Sequence, residues 1–202
     1  MTNRLQGLAA PTLRFCAVLT AAVVLVVAGA WPAAAAELDG VSMPDQIQYQ
    51  GLPLRLNGIG LRTYSVFRVH IYVAGLYLEK PTEDADAILR SSGVKIMRIR
   101  FVHDVTEDRA RAAWAEGLAD NCKAPCHLPP QDVERFLAAV PEFHRGDEST
   151  LAFDGASVRI SLNGRSLGTV DEPAFTRAIL ATFIGPYPPS EPFKRALLGR
   201  GN

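Results

Sequence analysis

The stretch LNGIGLRTYSVFRVHIYVAGLYLE, residues 56–79, decides how the rest of the chain is organised. Asn57, Gly58 and Gly60 read as a glycine-punctuated turn. After it, Val66, Arg68, His70 and Tyr72 fall on one parity and Phe67, Val69, Ile71 and Val73 on the other, the period of a strand with one dry face. From Val73 to Leu78 the sequence is almost wholly apolar, so this half of the strand is expected to be buried on both faces. Arg62 stands just before the strand, and its guanidinium is charged at any physiological pH. A permanent charge beside a deep apolar strand needs either an anion or a path to solvent.

Before this stretch lies a segment that does not belong to a fold. Arg4 and Arg14 precede an apolar run from Ala17 to Ala30, and Ala34, Ala35 and Ala36 form a small-residue cleavage pattern before Glu37. Residues 1–36 therefore read as a secretory signal peptide, an uncleaved anchor being disfavoured by the short run. Its removal places the protein in the periplasm or outside the cell and leaves 166 of the 202 residues, enough for one cored domain over 37–202. Taking away Arg4 and Arg14 leaves 19 basic residues against 21 acidic ones. With no sustained basic run, a nucleic-acid surface is not expected.

Cys122 and Cys126 remain, an even number, and in an oxidising compartment a local disulfide is the expectation. His127 follows directly. Covalent haem is the alternative, at a spacing one residue longer than usual, and a metal site would lack a clear fourth ligand. No cofactor is expected. Gly58 and Gly60 lack the third glycine and the preceding strand of a dinucleotide site.

Along the chain, residues 41–54 read as extended, with turns at Pro44-Asp45 and Gly51. Thr82 is expected to cap a short helix through Ser91, and Val94–His103 alternates as a second long strand. Thr106 caps a helix with Ala110, Ala113, Trp114, Gly117 and Leu118 on one stripe. Pro129-Pro130 opens another, carrying Val133, Phe136, Leu137 and Val140. Turns at Asp154-Gly155 and Asn163-Gly164 join three strands between Thr150 and Val170. Asp171 then caps a helix ending at Gly185, and Ser190 opens the last one. Strands pair with strands while helices cluster between and after them, which predicts an α+β fold.

Two blocks together, residues 56–62 with Phe67 and Val73–Glu79, and then Phe175–Gly185, resemble the chalcone isomerase-like family. The resemblance runs in order over most of residues 38–199. It implies an antiparallel sheet with helices layered on one face and a ligand cleft between them. In the family's isomerases, an arginine after the glycines holds the substrate oxyanion, and Arg62 matches it. The strand threonine of that site corresponds to Tyr72. The helix that should offer tyrosine and asparagine, from Asp104 to Glu116, has neither at the matching places, and Thr176 keeps the late hydroxyl. Fatty-acid-binding relatives hold a carboxylate with an arginine and a tyrosine, a pattern Arg62 and Tyr72 suit, although the loop between them is shorter here.

The resemblance thus implies non-catalytic binding of a small amphipathic anion such as a fatty acid, with Arg62, Tyr72 and Thr176 as ligand contacts. An intramolecular lyase or isomerase acting on a chalcone-like unsaturated carbonyl is the enzymatic alternative, and a structural or interaction module of the envelope is the third. The expected partner is an amphipathic carboxylate or other apolar ligand, with loose membrane association compatible with it. Arg68 and His70 share the parity of Tyr72, so all three could line one wet face. His103 beside Asp104 reads as a strand-end histidine, with an oriented base as the alternative.

Overall fold

The computed structural model describes residues 35–65 and 67–201. The expected leader therefore lies outside the described residues, apart from Ala35 and Ala36. A short hairpin, β1 (Ala35–Leu38) and β2 (Val41–Pro44), precedes the sheet. The sheet itself has seven strands in sequence order: β3 (Gln46–Tyr49), β4 (Leu52–Tyr64), β5 (Val69–Leu78), β6 (Lys95–Phe101), β7 (Glu148–Asp154), β8 (Ser157–Leu162) and β9 (Arg165–Val170). Every neighbouring pair is antiparallel. Five helices complete the α+β fold: α1 (Ala85–Arg90) between β5 and β6, α2 (Glu107–Asn121) and α3 (Pro130–Ala138) between β6 and β7, and α4 (Pro173–Ile184) and α5 (Glu191–Leu197) after β9. Among the described residues no helix is long and apolar enough to cross a membrane.

Local chemistry sets most of these boundaries. Asn163 and Gly164 adopt φ of 51° and 78°, the left-handed pair that a tight two-residue hairpin requires, and the Asn163 side chain also accepts from the Glu148 amide. Ser190 caps α5 by accepting from the Phe193 amide. Two helix starts differ from expectation. Asp84, not Thr82, caps α1, accepting from the Ala87 amide. Glu172, one residue past Asp171, caps α4 by accepting from the amides of Ala174 and Phe175.

Pleating divides the core. Tyr72, Ala74, Leu76 and Leu78 of β5 face the helices together with Met97, Ile99 and Phe101 of β6, and α4 is buried along almost its whole length against this face. On the other face Tyr77, Ile96 and Ala152 form a smaller core with Leu54, covered by Ile47 and Tyr49 of β3. Apolar residues on both parities of β5 are therefore buried, as its composition implied.

The main correction concerns the glycines. Asn57, Gly58 and Gly60 do not make a turn; β4 runs straight through them. A register shift at Asn57 leaves Gly58, Gly60 and Arg62 opposite Leu76, Ala74 and Tyr72, hence on the helix face. A Cβ at Gly58 would lie 2.0 Å from the Ala196 carbonyl oxygen, and one at Gly60 would lie 3.0 Å from the Phe193 ring. The glycines exist to let α5 settle onto the strand. Asn57 locks that contact: its amide donates to the Leu197 carbonyl at 2.9 Å and its oxygen accepts from the Thr82 amide at 2.7 Å.

Candidate functional site

Beyond Gly60, α5 no longer covers the strand, and the next residue on the same face is Arg62. There the space between sheet and helices opens into a cavity of about 1040 Å³, partly open to solvent. Its floor is the helix face of the sheet, and its walls come from α2, α3, α4 and β9. Much of the lining is aromatic. Phe101 stacks on Phe143 with centroids 4.2 Å apart, and Trp114 meets Phe136 and Phe183 edge-on at 5.2 and 5.7 Å. α2 comes close to α4 where Gly117 faces Thr182, and Arg111 ties α2 to the end of α3 by donating to the carbonyls of Leu137 and Ala138.

Arg62 and Tyr72 are direct cross-strand partners on this floor, a placement that brings Cβ atoms to roughly 5 Å. The Tyr72 ring is held edge-on between Phe101 at 5.6 Å and Phe193 at 5.9 Å. Burial pushes its phenol up to about 12, against the opposing pull of the Arg62 charge. The phenol is therefore a protonated hydrogen-bond donor at neutral pH. Among the described residues, neither the Arg62 guanidinium nor the Tyr72 hydroxyl has a hydrogen-bond partner, and Arg62 has no ion pair.

Other candidates lie elsewhere. Thr176 is buried on α4, and its hydroxyl donates to the Ala156 carbonyl at 2.8 Å; it is not brought to the cavity lining. Arg68 and His70 do not share a face with Tyr72. The register shifts between Arg62/Tyr72 and Thr63/His70, so Ile71 is an extra residue; Val69, Ile71 and Tyr72 all line the cavity, while His70 Nδ1 meets Asp39 Oδ1 at 3.0 Å. Arg68, at φ 51°, closes an exposed turn with its amide on the Ser65 carbonyl. His103 and Asp104 both line the cavity, but Asp104 Oδ1 accepts from the Arg145 amide rather than orienting the imidazole.

Several lining residues escaped the sequence reading, Ser149 and Arg109 among them. Ser149 is a buried polar residue on the inward parity of β7, where its companions are Leu151 and Phe153; a lone hydroxyl in that pattern was the available signal. Arg109, exposed on the first turn of α2, adds a cation to the lining beside Arg62, and a third, Arg135, is paired with Asp132 at 3.2 Å. Cys122 and Cys126 are joined as a disulfide just after α2. Beside it Asn121 grips the Tyr187 backbone, donating to its carbonyl at 2.8 Å and accepting from its amide at 3.1 Å, and Lys123 Nζ sits 3.9 Å above the Tyr187 ring. No group of three or more His, Cys, Asp and Glu side chains is gathered as a metal site among the described residues.

Sheet, helix layer and intervening cavity define a class, and sequence comparison agrees: a profile described as chalcone isomerase-like matches residues 35–199. The chain belongs to the chalcone isomerase-like family. Among solved structures it is similar to a fatty-acid binding protein of Arabidopsis thaliana, with a TM-score of 0.69 at 18% identity, covering 82% of this chain and 96% of that one. At that identity the likeness shows the fold. No curated protein sequence matches.

Proposed function

We propose that the domain binds a long-chain carboxylate, with Arg62 pairing the head group, the Tyr72 hydroxyl donating a hydrogen bond to it, and the aromatic cavity enclosing the tail. The observation that carries this reading is a guanidinium with no anion and a phenol with no hydrogen-bond partner among the described residues, paired across strands at a cavity large enough for a lipid chain and walled by apolar rings. An arginine–carboxylate pair gains strength when bidentate and partly desolvated, and each methylene withdrawn from water adds about 0.8 kcal/mol. The Arabidopsis relative, a fatty-acid binding protein of the same fold, supports the ligand class. We also place this binding outside the cytoplasm. The leader-like residues 1–36 support that, and so does a disulfide of the kind that persists under oxidising conditions.

The test is titration of a fluorescent fatty acid into wild type, Arg62→Ala and Tyr72→Phe. Removing the charged partner should weaken binding by roughly tenfold to a hundredfold. Removing the hydroxyl alone should cost about fivefold, because a single neutral hydrogen bond contributes about 1 kcal/mol. Tyr72→Phe keeps the ring contacts with Phe101 and Phe193, so its stability should match wild type. Equal affinity in all three proteins would remove the head-group role.

A further inference from the structure

Among the described residues five large apolar side chains stand exposed: Leu52 at 41%, Tyr64 at 61%, Phe67 at 87%, Val69 at 38% and Tyr187 at 51%. Their distribution is not scattered. Tyr64, Val69 and Tyr187 line the cavity, and Phe67 sits on the turn between the first two. Isolated exposed apolar residues are ordinary on a protein surface, but a cluster at the rim of an apolar cavity marks a contact site. The turn is tight, closed by the Arg68 amide on the Ser65 carbonyl, so Phe67 projects from a hairpin tip instead of lying in a groove. Arg68 follows it directly. Behind the tip, Arg62 and Arg109 line the cavity, and none of these three arginines is ion-paired among the described residues.

We propose that the β4–β5 hairpin tip inserts into a lipid bilayer, with Phe67 below the head groups, Tyr64 at the interface and Arg68 against anionic phosphates, so that the cavity rim rests on the membrane. A protruding aromatic flanked by an amphipathic tyrosine and a cation suits the interfacial zone of a bilayer. A folded protein partner would instead need a broad complementary face, and a single projecting turn offers none. The proposal rests on the carboxylate-binding reading for its purpose: an amphiphile held by Arg62 has its reservoir in the bilayer and passes over the rim with little exposure to water. Docking itself makes no use of Arg62.

The test places a reporter on the tip. Phe67→Trp and Leu52→Trp are prepared in the full chain, and quenching of the added fluorescence, measured against wild type with its Trp31 and Trp114, is followed on mixed phosphatidylcholine–phosphatidylglycerol vesicles containing brominated lipid. Phe67→Trp should be quenched and blue-shifted, and Leu52→Trp, far along β4 from the tip, should be neither. Adding Arg62→Ala to Phe67→Trp should weaken fatty-acid binding as it does alone and leave the quenching intact, so the two readings fail separately. Phe67→Ser should slow transfer of a fluorescent fatty acid from vesicles about tenfold, the scale of one lost phenyl insertion, with its affinity in vesicle-free solution unchanged. Emission from Phe67→Trp that stays water-like, equal quenching at both positions, or self-association through the tip in place of vesicle contact would overturn the proposal.

Discussion

Tyr77 shows how single residues divide the molecule between structure and function. It lies on the same strand as Tyr72 but on the opposite parity, fully buried, and its hydroxyl has no hydrogen-bond partner among the described residues. Burial raises its phenol, while the nearby Arg98 guanidinium, committed to Glu148 at 2.8 Å, pulls it down without meeting hydrogen-bond geometry. An unpaired hydroxyl in a core costs free energy that its removal returns. Tyr77→Phe should therefore stabilise the protein by about 1 kcal/mol, read as a higher urea midpoint with an unchanged slope. The contrast with Tyr72 is physical: neither hydroxyl has a partner among the described residues, but only that of Tyr72 opens onto space that a ligand can fill. Sequence alone placed both on one strand, with Tyr77 in its apolar half. The resemblance made Thr176 a ligand contact, but whether a helical hydroxyl turns to a ligand or to a carbonyl such as that of Ala156 depends on the hairpin packed beside it.

Among the elements, the contact of α5 on β4 controls the site. Gly58→Ala would drive a methyl into the Ala196 carbonyl, a backbone atom unable to yield without moving the helix. We expect a loss of about 3 kcal/mol or more in thermal unfolding, with weaker ligand binding as well, since Phe193 on α5 packs against Tyr72. The sequence reading mistook these glycines for a turn because the reason for them lies far down the chain, in a helix whose approach no local pattern encodes. The bulge at Ile71 was hidden for the same cause: alternation predicts a perfect pleat, and only tertiary register breaks it. Turns with their own chemistry were legible, as at Asn163-Gly164. The turn from His144 to Asp147, just before β7, makes a further prediction. The Asn163 amide and the His144 backbone N–H both donate to the Asp147 carboxylate and hold it below the usual range. A depressed carboxyl contributes stability that is present above its unfolded value near pH 4 and is lost as pH falls through the folded value. Asp147→Asn should be less stable than wild type at neutral pH, the gap closing on acidification below about pH 4 in urea titrations.

At the scale of the whole molecule the sheet is a meander in which each strand pairs with its neighbour in sequence, and this is why α+β architecture was readable from strand and turn order. The cavity was readable only as an implication of family resemblance, since its walls converge from α2, α3, α4 and β9, none of which signals an unfilled space by its own pattern. One feature runs against the local character of the sheet: Asn57 and Leu197, 140 positions apart, are joined by a side-chain hydrogen bond that seats the last helix on the fourth strand. During synthesis the hairpins can zip as they emerge, but this long-range closure waits for α5. Until then the strand bearing Arg62 has its glycine face bare and Tyr72 lacks one of its two supporting rings, so a nascent chain has no finished pocket to fill prematurely.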